Sequence, residues 1–163
     1  MKKYFETPTE ESFYNFIKKY NLNIEKIEEE NSPDFLVEGE YAFEIKAFNK
    51  SGTETNNNGI KGQIINVPNV INKWLLDAEK KINNYKKYKE IKYFSLVIYD
   101  NSRYFDSYEK IMPSILSNNL LKNKNINNLI YASINHKNTV ALHIKNKEKK
   151  IIKIFNNVNC KYY

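Results

Sequence analysis

Hydrophobic positions recur along this chain with two periods, near 3.6 and 2 residues, and together they predict a mixture of helices and strands. The helical period appears first over 8–20, where Phe13, Phe16, Ile17 and Tyr20 form one apolar stripe. Thr7 suits the N-cap of this helix, Pro8 its first position and Glu10 the far side of a capping box. The same period is clearest over 69–88. Ile71, Trp74, Leu75, Ala78, Ile82 and Tyr85 share one face, while Lys73, Lys80, Lys81 and Lys87 lie off it, where lysines are ordinarily solvated. A further helix is predicted over 107–121, interrupted or started by Pro113.

Strands fall between these helices. Asp34–Glu38 and Tyr41–Phe48 read as a hairpin with its turn at Gly39-Glu40. Tyr93–Tyr99 (YFSLVIY) is an almost unbroken apolar run, the pattern of a central strand buried on both faces. Leu129–Asn135, Val140–Lys145 and Ile151–Phe155 complete the set. Two segments carry no apolar period. Residues 21–32 are polar and acidic, and residues 49–62 hold three of the four glycines and read as a mobile loop. The predicted order is α-β-β-loop-α-β-α-β-β-β, a mixed α/β single domain over 1–163 with no internal repeat or dividing linker.

Composition changes this picture in three respects. With 163 residues, 41% of them apolar, the chain is large enough to fill a core. No segment approaches the roughly 20 apolar residues of a membrane helix, and no signal-peptide pattern follows the first lysines. With Cys160 the sole cysteine, an intrachain disulfide is excluded, and a reducing cytoplasm is the expected location. The net charge of +7 suits a polyanionic partner, above all nucleic acid. Abundant Asn, Ile, Lys and Tyr are also what an AT-rich coding sequence produces, so charge alone divides evenly between the two explanations. Arg103 is the one arginine, so bidentate reading of guanine is not advertised.

Candidate chemistry is concentrated in 32–48, SPDFLVEGEYAFEIKAF. Strand alternation puts Phe43, Ile45 and Ala47 on one face of the second strand, and Glu44 and Lys46 on the other. The hairpin brings Asp34 near that polar face. Two carboxylates and an ammonium converging in this way suit phosphodiester hydrolysis. Mg²⁺ takes hard oxygen ligands and usually only one or two carboxylates, here Asp34 and Glu44, with the Ile45 carbonyl as a third oxygen. Lys46 would orient the attacking water and stabilise charge on phosphorus.

Pro33-Asp34, nine intervening residues and Glu44-Ile45-Lys46 resemble the motif of the PD-(D/E)xK, or restriction-endonuclease-like, nuclease superfamily. The string E-x-K occurs four times, at Glu44, Glu79, Glu90 and Glu148, but only Glu44 lies in an aromatic-rich strand behind a Pro-Asp. The resemblance implies a mixed central sheet flanked by helices, dependence on Mg²⁺ (with Mn²⁺ as substitute) and cleavage of nucleic acid. It implies DNA over RNA, because most members act on DNA. It also implies a further acid from the first helix, for which Glu10 is the candidate and Glu11 the other. Gln63, downstream of the motif, corresponds to a glutamine in some members, though an ordinary loop position explains it better. His136 and His143 have no zinc-like spacing.

The expectation is therefore a Mg²⁺-dependent endonuclease, with catalytic Asp34, Glu44, Lys46 and Glu10, and with Asp34, Glu44 and Ile45 holding the metal. Its rivals are an RNA-cleaving, toxin-like member of the same fold, a non-catalytic nucleic-acid-binding module, and a domain with no nucleic-acid role. Cutting two strands with one site per chain favours a homodimer or higher oligomer.

Overall fold

The structure, a computed structural model, describes residues 5, 7–48, 53–55, 61–63, 67–85, 90–100, 126–134, 140–146 and 160–162. They form helices α1 (Pro8–Lys18) and α2 (Val67–Asn84) and strands β1 (Ile24–Lys26), β2 (Phe35–Val37), β3 (Tyr41–Phe48), β4 (Thr53–Thr55), β5 (Lys61–Gln63), β6 (Tyr93–Asp100), β7 (Asn128–Ile134), β8 (Val140–Asn146) and β9 (Cys160–Tyr162).

Seven strands make one mixed sheet in the order β1-β2-β3-β6-β7-β8-β9, and β4 and β5 form a separate antiparallel pair. The centre is parallel: β3 pairs with β6, and β6 with β7. Antiparallel partners flank it, β2 beside β3 and β8 beside β7. As its apolar run predicts, β6 is central, and Leu96, Val97, Ile98 and Tyr99 are all buried.

Alternation along the central strands divides the core in two. Leu36, Ala42, Phe94, Leu96 and Ile98 pack on one face with Ile71, Leu75, Ala78 and Ile82 of α2. Phe35, Phe43, Ile45, Val97 and Tyr99 pack on the other with Phe13 and Ile17 of α1. Each helix thus buries its stripe against an opposite face of the sheet, giving an α/β architecture with helices on both sides. Phe13 lies between two strand residues, with its ring centroid 5.6 Å from that of Phe35 and 5.1 Å from that of Phe43.

Several boundaries differ from the sequence expectation. The α1 helix starts as predicted, with Thr7 Oγ1 accepting from the Glu10 N–H at 3.2 Å, but it ends at Lys18. Residues 21–32 contain β1, an edge strand of three residues that pairs with β2. Only Ile24 in it is buried, so no local period marks it. The hairpin turn is placed one residue earlier than expected. Glu38 and Gly39 have φ of 51° and 68°, and the Glu40 N–H donates to the Val37 carbonyl at 3.1 Å. Positive φ at two successive residues matches the twist of the strands it joins. Glu38 is held there by its carboxylate, which accepts from the Asn23 N–H at 3.0 Å.

The segment 49–62, expected to be a loop, includes β4 and the first residues of β5. Thr-rich and polar, these strands are defined by their mutual pairing rather than by an apolar face. The final strand of the sheet is β9, parallel to β8. The expected strand at Ile151–Phe155, the expected helix at 107–121 and His136 lie outside the described residues. Among those described, no helix is long and apolar enough to cross a membrane.

Candidate active site

The β2–β3 ladder extends from Val37↔Tyr41 to Phe35↔Phe43 and then stops. Beyond it, Asp34 Oδ2 accepts a hydrogen bond from the Ile45 N–H at 2.8 Å. An aspartate side chain thus continues the pairing where the backbone partner ends. This bond fixes Asp34 beside Glu44, one residue from the N–H it accepts. Its carboxyl is pushed from 3.8 up to about 7, by burial first and by the Glu44 charge second. The Ile45 N–H opposes that shift.

Glu44 lies on the α2 face of β3 between Ala42 and Lys46, and it is 2% exposed. Its neighbours across the β3–β6 ladder are apolar, since Glu44 pairs with Leu96 and Lys46 with Ile98. A lone carboxylate there would be strongly disfavoured. Two ammonium groups compensate it: Lys81 Nζ is 2.5 Å from Glu44 Oε1, and Lys46 Nζ is 3.4 Å from the same oxygen. Burial nonetheless outweighs both lysines, and the Glu44 pKa is raised. Its second oxygen, Oε2, is buried without a hydrogen-bond partner among the described residues.

The roof of the site comes from α2. Asp77 and Lys81 are one helical turn apart and 3.7 Å from each other. Lys46 Nζ reaches up to Asp77 Oδ2 at 2.7 Å. Burial pushes the Asp77 carboxyl up, but its bonds to Lys46 and Lys81 outweigh this and hold it below the usual range. For Lys81, burial opposes the ammonium; Glu44 leads the groups that prevail and raise its pKa, followed by Asp34 and Asp77.

The structure therefore brings together Asp34, Glu44 and Lys46 as the sequence predicts. Glu10 is the acid expected from the first helix. It is buried on α1, where its carboxylate binds Lys26 Nζ of β1 at 3.0 Å. Its charge adds to those raising the Asp34 pKa. Glu11 is exposed. Gln63 belongs to β5, opposite Thr53, rather than to a loop.

Sequence reasoning missed Asp77, and it placed Lys81 on a solvated face. The structure corrects that placement: Lys81 points onto the sheet because a buried carboxylate stands opposite it. A local signal existed in the acid-to-lysine pair at i,i+4, flanking Trp74 and Ala78 on the edge of the apolar stripe.

Among the described residues, no three of His, Cys, Asp and Glu converge as a ready metal-binding group. Two carboxylates do converge, both with raised pKa values and one with an orphaned oxygen. That set fits a Mg²⁺ ion, which usually takes one or two carboxylates and completes its shell with water and phosphate oxygens. It is too sparse for a structural cage.

No protein-family model, curated protein or solved structure matches this chain. The functional reading therefore rests on the site itself.

Proposed function

We propose that this chain is a Mg²⁺-dependent nuclease with a restriction-endonuclease-like core, hydrolysing phosphodiester bonds in DNA. The observation that carries the reading is Glu44, a buried carboxylate on a sheet face that keeps one oxygen without a partner among the described residues, beside a second carboxylate and a lysine. Structural ion pairs rarely leave a buried carboxylate oxygen unsatisfied. A cation-binding oxygen accounts for its retention.

In this reading Asp34 and Glu44 hold the ion. The Ile45 carbonyl is the third oxygen, because it shares the side of its strand with the N–H that binds Asp34. Bound to these residues, a divalent ion would supply Lewis-acid polarisation of a phosphate and a lowered pKa for a coordinated water. Lys46, tethered by Asp77, donates to the attacking water and to the charge developing on the phosphate oxygens. The net charge of +7 favours the approach of a polyanion.

The test is cleavage of duplex, single-stranded and branched DNA, and of matched RNA, with Mg²⁺ or Mn²⁺. Wild type is compared with Glu44→Ala. Expected is metal-dependent cutting of DNA that disappears in the variant while binding persists. Preferential cutting of RNA would replace the substrate class. Binding without cutting of either would replace the enzyme with a binding module.

A further inference from the structure

Glu44 Oε1 faces two ammonium groups, and a single carboxylate oxygen does not require both. Lys46 has a closer partner in Asp77, at 2.7 Å against 3.4 Å to Glu44. Lys81 shows the reverse preference, at 2.5 Å from Glu44 and 3.7 Å from Asp77. The ammonium nearest the proposed metal ligand is thus the one on the helix, outside the Glu44-Ile45-Lys46 motif. A divalent ion that ligates Glu44 must compete with Lys81 for that carboxylate. Once displaced, the Lys81 ammonium has no equally close acid among the described residues: Asp77 lies 3.7 Å from it and binds Lys46 more closely. Its side chain is 25% exposed, so it reaches both the buried carboxylate and the solvent side, from which a substrate arrives.

We propose that Lys81 is a second catalytic lysine, presented from α2, which yields Glu44 to the divalent ion and then contacts the phosphodiester of the nucleic acid. This rests on the nuclease reading above. Phosphodiester hydrolysis builds negative charge on the phosphate oxygens, and a fixed ammonium released beside them stabilises that charge. Asp77 divides the two lysines between their tasks. It holds Lys46 at 2.7 Å but Lys81 only at 3.7 Å, so Lys81 is the lysine less firmly tied to it.

Two measurements test this. In the first, Lys81→Gln keeps a hydrogen-bond donor for Glu44 but removes the competing charge. Calorimetric titration with Mn²⁺ alone should show tighter binding than wild type. Single-turnover cleavage at saturating metal should fall by about 100-fold, as for loss of one transition-state donor. In the second, amine acylation of the wild-type protein is mapped by mass spectrometry. Mn²⁺ should raise the reactivity of Lys81, and added duplex DNA should lower it again. The second measurement stands if Lys81→Gln fails to fold. Unchanged Mn²⁺ affinity, an unchanged cleavage rate, or Lys81 reactivity indifferent to metal and DNA would overturn the proposal while wild type still cuts. A wild type inactive on DNA and RNA would overturn the nuclease reading itself, and this inference with it.

Discussion

Lys46 Nζ lies 2.7 Å from Asp77 and 3.4 Å from Glu44, so the lysine of β3 is bound more closely to the helix above it than to its own strand neighbour. The position of this ammonium is therefore decided jointly by sheet and helix. Replacing Asp77 by Asn should let Lys46 settle onto Glu44. Asp77 is 41% exposed, so the stability cost should be small, about 0–1 kcal/mol. If the nuclease reading holds, misplacing Lys46 by an ångström costs up to about 100-fold in rate, and a loss approaching that is expected in single-turnover cleavage. Thermal melts alongside kinetics separate the two effects. A rate equal to wild type would remove Asp77 from the site's machinery.

The protonation of Asp34 should appear in stability. Burial, reinforced by Glu44, raises its pKa from 3.8 to about 7. The folded chain thus holds this proton more tightly than the unfolded chain does. The stabilisation from the protonated form is complete below pH 3.8 and is lost as pH rises through about 7. In chelator, the stability of wild type relative to Asp34→Asn should fall steadily across that window. Denaturant melts at several pH values provide the curve, and a constant difference would refute the assignment.

Phe13 should be the residue by which α1 is anchored. Its ring lies between Phe35 and Phe43, next to the strand that carries Glu44, and it is fully buried. Truncation to Ala removes a ring from a packed interior and should cost about 3–5 kcal/mol. Urea denaturation would measure this. A loss below about 0.5 kcal/mol, the range of ordinary surface changes, would mean that α1 does not depend on this packing.

If the nuclease reading holds, the outer face of α2 should meet phosphate. Lys73 and Lys80 are exposed, two turns apart, on the helix that roofs the site with Asp77 and Lys81. Charge reversal of both to Glu should weaken nucleic-acid binding for every sequence alike. It should also reduce the slope of log affinity against log salt by about one for each phosphate no longer neutralised. The cleavage rate at saturating substrate should hold. An unchanged salt slope would show that this face does not meet the phosphate backbone.

Local patterns made much of this molecule legible. Period 2 in β3 separates Phe43 and Ile45 from Glu44 and Lys46, and the structure buries the first pair against α1 and turns the second toward α2. Period 3.6 identified the buried face of α2 from Ile71 to Ile82, with Tyr85 buried just past its end. The unbroken apolar run of β6 announced a strand covered on both sides. These readings succeed because side-chain direction within an element is dictated by backbone geometry alone.

The remainder depended on which elements meet. β1 and β9 contribute three residues each, too few for a period to emerge, and they exist as strands through pairing with β2 and β8. Lys81 and Asp77 flank the α2 stripe, where sequence alone permits either solvent or sheet. Helix periodicity gives the angle between residues but not the rotation of the whole helix over its support. The sequence by itself determined that Asp34, Glu44 and Lys46 belong to one hairpin. Only the tertiary structure decided that a helix some thirty residues onward closes over them with a second lysine, because that depends on how α2 docks across the β3–β6 ladder.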